Sequence, residues 1–93
     1  MEKNEIKNIQ RRLEEMLKGI SDKFGADLCP TFIPAPPELT ITFNKYLKEA
    51  KSLCPKHEGI QLLDPLDERA CKMGQLLRIA TALSEFLSEE LER

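Results

Sequence analysis

The sequence predicts an all-α protein, a three-helix bundle in which a long proline-rich crossover joins helices 1 and 2. Apolar residues recur at helical spacings of three and four in three separate segments, and no two segments alternate convincingly like paired strands. The length of 93 residues suits one domain, and 41% hydrophobic with 32% charged residues is typical of a folded chain. We therefore expect residues 1–93 to form a single helical domain.

The first predicted helix spans residues 4–24. One apolar stripe runs along it, made of Ile6, Ile9, Leu13, Met16 and Ile20. Asn4 suits the N-cap position, and Gly25 is the residue type that commonly ends a helix. The spacing is also that of a coiled coil, but it lasts little more than two heptads. It therefore indicates a bundle helix.

The predicted crossover covers residues 26–37, with the sequence ADLCPTFIPAPP. Its four prolines remove backbone donors and fix φ, so neither a helix nor a central strand can run through it. Pro34 and Pro37 have the spacing of a PxxP ligand for proline-recognising domains, but no basic residue is close by. Short matches of this kind often arise by chance, so an extended structural connection is the better interpretation.

Two patterns conflict in residues 37–53. Leu39, Ile41 and Phe43 alternate as in a strand, and this leaves residues 37–43 open between helix and strand. A helical set continues to the end of the segment: Phe43, Tyr46, Leu47, Ala50 and Leu53. A lone strand would lack a partner, and Pro37 suits a first helical turn, so we predict a helix over the whole segment.

The third predicted helix spans residues 64–91, with Asp64 as its cap and Pro65 in its first turn. Its core face contains Met73, Leu76, Ala80, Leu83, Leu87 and Leu91. A second apolar strip of Ile79, Ala82 and Phe86 lies more than a quarter turn from the centre of that face. A helix that is apolar on two sides either sits between neighbours or meets another chain. We therefore predict that this strip is the interface of a homodimer.

Charge is distributed unevenly along the chain. Residues 1–56 carry a net charge of +2 and residues 57–93 carry −4. This gradient favours association of two copies, or of the two halves of one chain, but is too small to mark a nucleic-acid or membrane surface. Lys45, Lys48 and Lys51 recur every three residues, which is usually a solvated helix face. No apolar run approaches the roughly 18 residues of a membrane span, and the first residues lack a signal peptide's apolar core, so we expect a cytoplasmic protein.

The sequence does not indicate catalysis. His57 is the only histidine, and the chain has no Gly-rich phosphate loop, no nucleophile elbow and no HExxH motif. Cys54 and His57 have a spacing that would allow a nucleophile and its base, but such a cysteine also needs a thiolate-stabilising environment and an oxyanion site. We expect a non-catalytic protein-protein interaction module without a cofactor, an adaptor, regulator or small subunit that binds itself or another protein.

The alternative hypothesis is a zinc site formed by Cys29, Cys54, His57 and Cys71. Three sulfurs and one imidazole are a recognised tetrahedral ligand set, and two residues separate Cys54 from His57. The other spacings do not match a paired-knuckle zinc signature. The cysteines are therefore also consistent with reduced thiols that bind no metal. A disulfide between Cys29 and Cys54 is a further alternative, which a reducing compartment disfavours.

Overall fold

The computed structural model describes residues 2–24 and 33–92, and these form four α helices. Their bounds are α1 Glu2–Phe24, α2 Pro37–Leu53, α3 Glu58–Leu62 and α4 Met73–Glu92. The described residues contain no strand, only an isolated bridge between Pro34 and Lys72, so the all-α prediction is confirmed. The number of helices was predicted wrongly, because α3 was not expected. Most of the predicted crossover, including Cys29, lies outside the described residues.

The core forms where α1, α2 and α4 pack on one another. The side chains at its centre are nearly or completely inaccessible to solvent: Leu13, Phe43, Leu47, Met73, Leu76, Ala80, Leu83 and Leu87. Gln10 of α1 donates through Nε2 to the Ser88 hydroxyl and the Ser84 carbonyl, which adds polar contacts between α1 and α4. Packing of amphipathic faces, rather than helix propensity, is the main source of stability in such a bundle.

The bounds of α2 are those predicted from the sequence. Its buried residues, Thr40, Phe43, Leu47 and Ala50, follow the helical period, and Ile41 faces solvent. The carbonyl of Pro36 accepts hydrogen bonds from the N–H groups of Leu39 and Thr40, which closes the first turn. The strand-like alternation of residues 37–43 therefore has no structural counterpart.

The last helix begins at Met73, not at residue 64. The reason is a long-range contact, since the Asn44 side chain accepts a hydrogen bond from the Leu66 N–H and donates one to the Leu66 carbonyl, both 2.8 Å long. This pair holds Leu66 in a non-helical connection beside α2. Asp67 accepts from the Arg69 N–H, a local turn that also competes with a helix. Asp64 and Pro65 therefore lie in a connecting segment, residues 63–72, which we call the strap.

The strap ends where α2 and α4 both begin. The Ala35 N–H donates to the Cys71 carbonyl, and the Met73 N–H donates to the Ile33 carbonyl, each over 2.8 Å. The Lys72 N–H donates to the Gln75 side chain, one half of a capping box. These bonds bring the N-terminal ends of α2 and α4 together.

Candidate functional site

His57 joins the short helix α3 to the far end of α4. Its Nδ1 accepts a hydrogen bond from the Ile60 N–H, which caps α3, and its Nε2 lies 3.1 Å from Oε2 of Glu89. Because Nδ1 acts as an acceptor, the neutral ring carries its proton on Nε2 and donates it to the Glu89 carboxylate. The His57 side chain is buried, whereas that of Glu89 is exposed. Both ring nitrogens are therefore occupied in holding the fold.

Phe86 and Gly59 complete the contact between α3 and α4. The rings of His57 and Phe86 lie 5.1 Å apart, centre to centre. A Cβ placed on Gly59 would meet Phe86 Cζ at 3.0 Å and His57 Cε1 at 3.1 Å. The backbone of α3 approaches α4 this closely because residue 59 has no side chain.

The predicted interface strip is only partly open in the structure. Phe86 is half-buried by the contact with α3, and Ile79 and Ala82 are also half-buried, with Ile79 packed against the core. An unpredicted helix of the same chain thus covers part of the strip. Ala82 keeps part of its surface accessible to solvent.

Two large apolar residues that were not predicted to be exposed face solvent among the described residues. Leu62, the last residue of α3, is 79% exposed, and Ile41 on the outer side of α2 is 49% exposed. A helical wheel of residues 37–53 would have placed Ile41 opposite the core. Leu62 could not be found in this way, because five residues are too few for a periodic signal.

The exposed faces of α2 and α4 carry charges in opposite order. Along α2, Glu38 precedes Lys45 and Lys48, whereas along α4 Arg78 precedes Glu85. All five side chains are exposed, and none of them makes an ion pair with another described residue. Seven residues, about 10 Å of helix, separate the first charge from the second on both helices.

A pocket of about 310 Å³ lies between the basic face of α2 and the strap. It is lined by Asn44, Leu47, Lys48, Lys51 and Pro65. Asn44 fixes one wall through its two bonds to Leu66. At the other end, Gln61 of α3 donates to the carbonyls of Lys51 and Cys54. The pocket is thus an open groove with a buried apolar floor and lysines at its edge.

Cys71 is buried where the strap meets the first turns of α2 and α4. Burial raises the pKa of its thiol, and the Asp67 charge adds to that rise, while the Thr40 hydroxyl and the Leu76 N–H act in the opposite direction. The Thr40 hydroxyl is itself buried without a hydrogen bond of good geometry. A thiol that resists ionisation is a poor nucleophile, so this surrounding favours a structural role.

The structure does not bring the predicted zinc ligands together. Cys54 follows the last turn of α2, and the Cys71 thiol lies beside Thr40 in the first turn, about 21 Å away at 1.5 Å per residue. Ligands of one zinc ion lie about 2.0–2.3 Å from it, so Cys54 and Cys71 cannot share an ion. His57 lies near Cys54, with its N–H bonded to the Cys54 carbonyl, but its ring nitrogens are both engaged. No group of three potential ligands is found in the part of the chain that is described.

No helix among residues 2–24 and 33–92 combines the length and apolar character needed to cross a bilayer. No protein-family model, curated protein sequence or solved structure matches this chain.

Proposed function

We propose that this chain is a non-catalytic protein-protein interaction module that associates with itself. The observation that carries the proposal is Leu62, a leucine 79% exposed at the end of a helix that packs between α2 and α4. Covering a leucine of this exposure contributes roughly 1.5–2 kcal/mol to association. An adaptor, a regulator or a small subunit would all use such a surface.

Two neighbouring features support the same surface. α3 contacts both α4, which carries the half-buried strip with Ala82, and the C-terminal end of α2, where Lys48 and Lys51 lie. Apolar residues surrounded by charged ones are the usual composition of a specific interface. The charge difference between the two parts of the chain favours a second copy as the partner.

The first experiment is sedimentation of the full chain over a range of concentrations. We expect the wild type to sediment as a species larger than a monomer. Leu62→Lys should weaken this association without loss of helix content, because little of the Leu62 side chain packs against the core. Phe86→Lys is less informative, because it would also break the contact with His57 and Gly59.

Ser21→Lys provides the matched control, since it adds the same charge at an exposed position of α1. α1 makes no contact with α3. Even a weak dimer should be populated at a protein concentration on the order of 100 μM. A wild type that is still monomeric at that concentration would contradict self-association.

A further inference from the structure

We infer that the groove between α2 and the strap binds a small amphipathic anion, an alkyl monocarboxylate. Its chain lies on the groove floor, and its carboxylate lies beside Lys48 and Lys51. The site is independent of the proposed self-association, because one chain supplies every residue that lines the groove.

The groove has the size and the lining that an apolar chain requires. Its volume of about 310 Å³ lies at the lower end of the range for small-molecule pockets, roughly 300–1,000 Å³. Most of its surface is apolar, so the two lysines line it mainly with their alkyl stems, beside Leu47 and Pro65. The two bonds from Asn44 to the Leu66 backbone hold the strap against α2 and keep this lining in place before any ligand arrives.

The lysines at the edge of the groove provide the charge. Lys48 is exposed and Lys51 is half-buried, and neither makes an ion pair with another described residue. Glu49, next to Lys48 in the sequence, lines a different groove between α1 and α2. Asp64 is exposed beside Pro65 and pairs with neither lysine. The two ammonium groups are therefore available to an anion in the groove.

The apolar floor and the lysines together define the ligand. A bare anion would leave the floor in contact with water, and an uncharged apolar molecule would leave the lysines without a partner. A carboxylate has two oxygens, so it can accept from both ammonium groups while its chain covers Leu47 and Pro65. The lined part of α2 extends from Asn44 to Lys51, seven residues or about 10 Å, which suits a short alkyl chain.

NMR titration of the full chain with butanoate, hexanoate and octanoate tests the apolar part. Octanoate should bind with a dissociation constant on the order of 1 mM and shift the signals of the Asn44 side-chain amide and the Leu66 N–H, which lie at the groove wall. Affinity should rise with chain length, by at most about fourfold for each buried methylene. Equal affinity of the three acids would overturn the inference. Shifts confined to Ile9 and Arg12, in the groove between α1 and α2, would also overturn it.

Two further probes separate the charge from the chain. The alcohol 1-hexanol has the chain of hexanoate without its charge, and acetate has the charge without the chain. Both should bind at least about tenfold more weakly than hexanoate. If hexanol bound as well as hexanoate, the lysines would have no part in binding, and if acetate did, the floor would have none. Either result would contradict an amphipathic ligand.

The double variant K48Q/K51Q removes both charges at the edge of the groove. It should raise the dissociation constant of octanoate about tenfold at low salt, a difference that decreases as salt screens the charges. Helix content should be unchanged, because neither lysine is buried.

The matched control is K7Q/K18Q, which removes two exposed lysines of α1 that do not line the groove and should leave the dissociation constant unchanged. Equal weakening in both double variants would show attraction to the net charge of the chain, and no weakening in K48Q/K51Q would remove the lysines from the site. Both results would overturn the inference and leave self-association standing.

Discussion

The imidazole of His57 caps α3 through Nδ1 and reaches Glu89 of α4 through Nε2, 3.1 Å from the carboxylate. One buried ring thus links two elements that lie 32 positions apart in the sequence. The link explains how a helix of five residues, too short to be stable in isolation, keeps a defined place.

Replacing His57 should destabilise the fold more than replacing Glu89. Glu89→Ala removes one hydrogen bond at an exposed end, and we expect a loss of about 1 kcal/mol in the free energy of unfolding. His57→Ala removes the cap of α3 and the ring contact with Phe86 as well, so the loss should be about 2–3 kcal/mol. Urea denaturation measures both. Glu14→Ala, at an exposed glutamate of α1 without an ion pair to a described residue, is the control and should change stability by less than about 0.5 kcal/mol.

Two helical glycines should respond in opposite directions to the same substitution. At Gly19 an added Cβ meets nothing within 4 Å, so Gly19→Ala should stabilise the protein by about 1 kcal/mol through helix propensity. At Gly59 the added Cβ would lie 3.0 Å from the Phe86 ring and 3.1 Å from the His57 ring. Two hydrogen bonds hold His57 in place, so the neighbouring rings leave little room for a methyl group. Gly59→Ala should therefore lower the melting temperature, and an increase there would mean that α3 can move away from α4 without penalty.

Stability should fall at alkaline pH through Cys71. Burial raises the pKa of its thiol above the ordinary value of 9.0, so the folded state holds this proton more tightly than the unfolded chain. The resulting contribution is complete below pH 9.0 and is lost as the pH rises through the higher folded-state pKa. Urea midpoints measured from neutral pH to about pH 10 should therefore decrease more in the wild type than in Cys71→Ala. Parallel curves for the two proteins would show that Cys71 titrates alike in both states.

Purified protein should contain no stoichiometric zinc. Cys54 and Cys71 lie at opposite ends of α2, so a single ion cannot join them. Elemental analysis should find less than about a tenth of an equivalent, and melting should be unchanged by chelator, because metal bound to a small domain contributes directly to its folding energy. One equivalent of zinc with a lower melting temperature in chelator would instead support a site that includes Cys29.

Local pattern was sufficient to predict the helices with long amphipathic faces. The bounds of α2 were found as predicted, and those of α1 differ by two residues at its start. The start of α4 was predicted nine residues too early, because Asp64 and Pro65 form a good local start signal. What overrides that signal is the Asn44 side chain, 22 residues away, which binds the backbone of Leu66. No local pattern contains this contact.

The candidate site was predictable only in part for the same reason. The apolar strip of α4 is visible in the sequence, but its partial cover by α3 depends on the His57 cap and the Gly59 contact in one segment and on Glu89 in another. The exposure of Leu62 follows from that arrangement.

The strap also decides the topology of the bundle. A short turn after α3 would return the chain from the C-terminal end of α2 and make α4 antiparallel to it, as in an up-and-down bundle. Residues 63–72 instead carry the chain back along α2 before α4 begins, held midway by Asn44. Shortening this return path would therefore invert the last helix and carry Glu89 away from His57, to the opposite end of the bundle.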